Sequence, residues 1–140
     1  MMRLTRRYRF AASHRLHAPA LTDDENRELY GKCNHPYGHG HNYELEVSVR
    51  GAVDEASGTL VRVEDLDRFV RARVIRDLDH RNLNGDLAEF TNLVPTTENL
   101  VEVLRRRLDA GWAEAFPASG AVLDGIRIRE TRRNSVELKS

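Results

Sequence analysis

His39-Gly40-His41-Asn42-Tyr43-Glu44-Leu45-Glu46-Val47-Ser48-Val49-Arg50 alternates without a break. His39, His41, Tyr43, Leu45, Val47 and Val49 share one parity, and Asn42, Glu44, Glu46, Ser48 and Arg50 the other. Extended backbone sends successive side chains to opposite faces, so this is a half-buried strand whose apolar face begins with two imidazoles. The thirteen positions 31–43 also hold three of the six histidines and the only cysteine, Cys33. Two rings pointing the same way can share a divalent metal if a third ligand arrives from elsewhere, and an open fourth position would make the site catalytic. Taken alone, His-Gly-His reads equally well as a glycine-rich polar turn.

The third ligand lies upstream. From Tyr8 the chain alternates again: Tyr8, Phe10, Ala12, His14 and Leu16 oppose Arg7, Arg9, Ser13 and Arg15. This predicts a second half-buried strand whose inward face ends in a histidine. If the two strands pair antiparallel, the end of the first lies beside the start of the second, which brings His14 to His39 and His41. That parity favours metal binding over the turn reading. Between the strands, residues 17–34 are polar and turn-like, with Pro19 and the run Asp23-Asp24-Glu25-Asn26-Arg27-Glu28. They predict a long loop, or a loop with a short helix, that carries Cys33 toward its end. Long loops in small domains are often functional.

Downstream, 51–59 is turn material, and a helix is predicted over 64–78 with Leu66, Phe69, Val70, Val74 and Leu78 on one stripe. Glu64 and Asp65 suit its positive N-terminal end. Asp79-His80 follows, and an adjacent Asp and His in a loop usually form a solvated pair. A second helix starts after Pro95, with Thr96 as N-cap, Glu98 in the first turn and Leu100, Val101, Leu104, Leu108 and Trp112 as its apolar stripe. Two short strands close the chain. Ile126 and Ile128 alternate with Arg127 and Arg129, Glu130 falls on the apolar parity, and Val136-Glu137-Leu138 follows a turn at Asn134-Ser135. A carboxylate at the end of a buried face must be paired or must bind something.

The order strand, strand, helix, helix, strand, strand predicts one α+β domain over 1–140, with two helices on one face of a four-stranded antiparallel sheet. The other face is charged, Arg7 and Arg9 beside Glu44 and Glu46 beside Arg127 and Arg129, with opposite signs across strands. Two open edges invite pairing between subunits, so a homo-oligomer is expected. With 22 basic and 22 acidic side chains, net charge does not drive nucleic-acid binding. No apolar run reaches a membrane span, and a single cysteine with no secretory signal points to the cytoplasm.

These residues resemble the 6-pyruvoyl tetrahydropterin synthases and their bacterial relatives, the 6-carboxy-tetrahydropterin synthases of queuosine biosynthesis. The resemblance runs through Phe10-Ala11-Ala12-Ser13-His14-Arg15-Leu16, Asp24-Glu25-Asn26, Gly31-Lys32-Cys33-Asn34 and Gly38-His39-Gly40-His41-Asn42-Tyr43. It continues through Leu78-Asp79-His80-Arg81-Asn82-Leu83, Thr96-Thr97-Glu98-Asn99 and Glu130-Thr131. It implies a tunnelling fold, trimers that close a β-barrel, and two trimers stacked into a hexamer. It also implies zinc on His14, His39 and His41, with Cys33 as proton-abstracting base and Asp79 and His80 relaying charge to it from a neighbouring subunit. Glu130 would anchor the pterin ring, with Thr97 and Glu98 near the same pocket.

The implied substrate is 7,8-dihydroneopterin triphosphate, and the implied product 6-pyruvoyl tetrahydropterin. The queuosine branch instead cleaves a carbon–carbon bond to give 6-carboxy-tetrahydropterin and acetaldehyde. Cys33 stands six residues before His39, a spacing that resembles the pyruvoyl-forming enzymes. His35 and Tyr37 depart from the small polar residues usual there. A non-catalytic pterin- or metal-binding module is a further reading, against which Cys33, Asp79 and His80 stand together. A GTP cyclohydrolase relative is another, as is a folate-pathway variant, which typically has a glutamate where this chain has Cys33.

Overall fold

A computed structural model describes residues 1–117 and 119–140. The predicted strand at 39–50 is β2 (His39–Gly51), and it sits at the centre of the sheet. On one side it pairs antiparallel with β1 (Met2–His14), on the other with β4 (Val122–Arg129), which in turn pairs with β5 (Ser135–Lys139). A fifth strand corrects the four-stranded expectation. β3 (Arg81–Asn82) adds parallel to Ala12 and Ser13 at the outer edge of β1, giving the order β3-β1-β2-β4-β5 among the described residues.

The face predicted to be apolar is the buried one. Tyr8, Phe10, Ala12, Tyr43, Leu45, Val47, Val49, Ile126 and Ile128 point to the core, where two long helical runs cover them. The first run is α2 (Val63–Val70), a π-helical turn over Arg71–Ile75, and α3 (Arg76–Leu78). Inside this wide turn the Arg73 carbonyl accepts from Arg107 Nη1 at 3.3 Å. The second run is α5 (Thr97–Ala115), capped as expected by Thr96, whose hydroxyl accepts from the Asn99 N–H at 3.2 Å. Leu66, Val70, Leu100, Leu104 and Leu108 are buried from these helices, and each such side chain contributes about 1.5–3 kcal/mol.

The charged face also forms as expected. Arg7 lies opposite Glu46 and Glu46 opposite Arg127, while Arg9, Glu44 and Arg129 make the next row. Glu46 accepts from Arg127 Nε at 2.8 Å and has Arg7 Nε at 3.1 Å, and these guanidiniums hold its carboxyl below the usual range. Between α1 (Asp23–Tyr30) and α5, the short α4 (Leu83–Asp86) follows β3, with its N-terminal amides capped by the Asn82 side chain.

Candidate metal centre and active site

The site stands where β1 ends and β2 begins. The antiparallel register sets His14 opposite His39 and Ala12 opposite His41, so the small alanine is the residue facing the second imidazole. Gly38 turns the chain into β2 at φ +83°, and a Cβ there would meet the His14 carbonyl oxygen at 3.0 Å. Only glycine gives both the positive φ and that approach.

Cys33 reaches the same spot from the long connection. That segment contains the short helix allowed for in the sequence, α1, with a capping box: Thr22 Oγ1 accepts from the Glu25 N–H, and Glu25 Oε1 from the Thr22 N–H. A 3-10 turn over Gly31–Asn34 follows. The Leu16 N–H donates to the Cys33 carbonyl at 2.7 Å, and Asn34 Nδ2 donates back to the Leu16 carbonyl at 2.7 Å. Arg15 Nε donates to the Asn34 carbonyl at 3.1 Å. Buried Asn26 ties the other end of the loop to the carbonyls of Ala18, Leu21 and Thr22.

Ligand atoms of His14, Cys33, His41 and Glu130 all lie within 4.8 Å of one another. Cys33 Sγ is 3.8 Å from His41 Nε2, and Glu130 Oε1 is 3.1 Å from the same nitrogen. The other carboxylate oxygen, Oε2, accepts from the Thr97 hydroxyl. His14 is fully buried and its Nδ1 donates to the Pro95 carbonyl at 3.0 Å. Its Nε2 is, among the described residues, the buried side-chain polar atom with no hydrogen-bond partner. A buried nitrogen left bare costs about 1–3 kcal/mol, and a cation is the partner such a lone pair fits. The donor set of imidazole, thiol and carboxylate therefore fits a divalent metal.

Burial favours the neutral form of both rings. It holds His14 below its ordinary value, with His41 adding to the effect; it holds His41 low too, against the pull of Glu130. Unprotonated imidazoles are what a metal requires. The unfolded chain, whose histidines titrate near 6.5, then binds more protons than the folded one as pH falls. The metal-free protein is expected to lose thermal stability from about pH 6.5 down to 5, before the depressed carboxylates of Glu46, Asp67 and Asp124 titrate. Melting curves across that window check it; a flat Tm there contradicts it.

His39 lies outside the four-residue group. It is exposed, with its ring centroid 4.8 Å from that of His41. Its parity is as read from the sequence and its ring stands beside that of His41, but its side chain is exposed. Glu98 is likewise exposed in the first turn of α5, whereas Thr97 is buried against Glu130.

Residues 3–140 match the profile of the family described as 6-pyruvoyl tetrahydropterin synthase. The chain belongs to the 6-pyruvoyl tetrahydropterin synthase family. A 6-pyruvoyl tetrahydrobiopterin synthase of Poecilia reticulata is 45% identical over 133 residues, spanning 95% of this chain and 86% of that protein. The structure of the Caenorhabditis elegans 6-pyruvoyl tetrahydropterin synthase superposes with a TM-score of 0.89 at 36% identity, over 99% of this chain and 95% of that one. A probable 6-carboxy-5,6,7,8-tetrahydropterin synthase of Halobacterium salinarum is 31% identical over 63% of each chain.

Of the residues the family resemblance singled out, Asp79 and His80 sit apart from the cluster, at the β3 edge. Asp79 Oδ1 accepts from the Ala11 N–H at 2.8 Å, and the His80 N–H donates to the Ala11 carbonyl at 2.6 Å. The His80 side chain is 83% exposed and its Nδ1 lies 3.8 Å from Asp79. His80 is also the one described non-glycine residue with positive φ, at 61°. Such strain persists where surrounding contacts enforce it, and it gathers at functional sites. Sequence reasoning passed over two residues of the site. Asn34 clamps the Cys33 segment, and Tyr43, read only as core, puts its hydroxyl 3.2 Å from His14 Nδ1. The shared parity of Tyr43 and His41 was the available signal.

Proposed function

We propose that this chain is a zinc-dependent lyase that converts 7,8-dihydroneopterin triphosphate to 6-pyruvoyl tetrahydropterin with loss of triphosphate. The observation that carries the reading is the lone thiol set within 4.8 Å of two imidazoles and of Glu130. Family membership and the relatives' printed names support the pyruvoyl product. His14, His39 and His41 are the proposed ligands, the His39 ring standing beside that of His41. Zinc held there would act as a Lewis acid, making the neighbouring C–H and O–H groups of the substrate side chain more acidic.

The chain's own residues then divide the work. Glu130, steadied by the Thr97 hydroxyl, accepts from the N–H groups of the pterin ring, with Glu98 at the pocket's rim. Cys33 takes a proton from the substrate side chain and returns it at the next carbon. Burial and the Glu130 charge push its thiol up, so it needs a partner to become a base. That partner is His80, oriented by Asp79, from a second copy of the chain. A cavity of 690 Å³ beside His39, lined by Arg15, Arg27 and Lys32, suits the triphosphate. The open edges at β3 and β5 suit trimers that close a barrel and stack as a hexamer in the cytoplasm.

Incubation of the zinc-loaded protein with 7,8-dihydroneopterin triphosphate, followed by mass analysis, tests this. The pyruvoyl product is expected. A 6-carboxy product with acetaldehyde would move the chain to the queuosine branch, a hydroxymethyl product to the folate-pathway variant, and absence of any of the three would leave a binding module.

A further inference from the structure

We infer that Tyr43 is a positioning residue for the metal centre: its hydroxyl and the Pro95 carbonyl hold Nδ1 of His14 and commit Nε2 to the ion. The inference rests on the metal reading of the cluster. His14 is fully buried, and two oxygens bracket its Nδ1, the Pro95 carbonyl at 3.0 Å and the Tyr43 hydroxyl at 3.2 Å. A carbonyl oxygen only accepts, so Nδ1 carries the proton and Nε2 a bare lone pair. That lone pair is the partnerless buried atom. A half-turn of the ring about Cβ–Cγ would put Cδ2 where Nδ1 stands and Cε1 where Nε2 stands, and the two oxygens at Nδ1 oppose it.

Tyr43 can hold this position because it is itself fixed. Two residues beyond His41 on the same face of β2, it is 1% exposed. Its ring stacks on Phe10, its cross-strand partner, with centroids 5.0 Å apart and planes 17° apart. The hydroxyl thus meets His14 from a ring that cannot swing. Ligand orientation by such outer contacts is worth 10–100-fold in metal affinity in other proteins.

The test compares the full chain with its Tyr43→Phe variant, which keeps the stacked ring and removes one oxygen. Cobalt(II) affinity, read by chelator competition and by the visible spectrum of the bound ion, is expected to fall about 10–100-fold. Val49→Ala, in the core of the same strand away from the site, is expected to lower Tm and leave cobalt affinity unchanged. In the metal-free wild type, multiple-bond proton–nitrogen NMR is expected to show His14 protonated at Nδ1; this arm holds whether or not the variant folds. Equal cobalt affinity in wild type and Tyr43→Phe, or a His14 protonated at Nε2, overturns the inference while the metal centre stands. A wild-type chain that binds no cobalt overturns the metal reading and the inference with it.

Discussion

Cys33→Ala is expected to lower turnover by about 10²–10⁴-fold, the range by which a positioned proton-transfer group accelerates a reaction. The fold should survive, because the thiol is only partly buried and its segment is held by backbone and Asn34 hydrogen bonds rather than by sulfur. Metal affinity decides what the sulfur does. Sγ lies among the ligand atoms, 3.8 Å from His41 Nε2, so it is placed either to move protons beside the ion or to bind it. Turnover lost with zinc retained marks it as the base. Turnover and zinc lost together would make Cys33 a ligand, and the proton-transfer role would have to pass to another group.

His14→Ala is expected to abolish stoichiometric zinc binding, measured by metal analysis after dialysis, and with it all turnover. Loss of a ligand should exceed the roughly 100-fold upper effect of losing an outer contact. In the metal-free fold the Pro95 carbonyl loses its donor, at about 1–3 kcal/mol, while removal of the bare Nε2 offsets a similar amount, so Tm is expected to move little. His39→Ala supplies the contrast. Its side chain is exposed, so the Tm of the metal-free protein should not move, while zinc affinity falls if the ring turns in to ligate. Unchanged zinc affinity in His39→Ala, with loss in Glu130→Gln, would replace the third histidine by the carboxylate.

Much of this arrangement is written in parity. The sequence of β2 alternates along its whole length, and the facing of His41, Tyr43 and Leu45 follows from that, although Glu46 and Ser48 on the opposite face are buried too, against Arg127 and Thr5. The start of β1 is different. Sequence alternation begins at Tyr8, yet the strand begins at Met2, because residues 2–7 are held by backbone pairing with β2 up to Gly51 and carry mostly exposed side chains. β3 is only two residues long and adds parallel to β1, so no side-chain periodicity announces it. The π turn after α2 leaves the apolar stripe intact and is likewise silent in the pattern. At the site, spacing brought His14 to the β2 histidines, but that His39 stays exposed outside the four-residue group is not encoded by alternation. The approach of Cys33 depends on hydrogen bonds closing across residues 16–34, a long-range fact with no local signature.

Those hydrogen bonds set the order in which the molecule comes apart. The segment that presents the sulfur buries little apolar surface, with Leu29 63% exposed, and is fastened chiefly by amides such as Asn26 and Asn34. The sheet and helices are fastened by a dry interior. Fasteners of the first kind open locally at a fraction of the free energy of global unfolding. Mild warming or urea will therefore silence the molecule while its circular dichroism still reads as native.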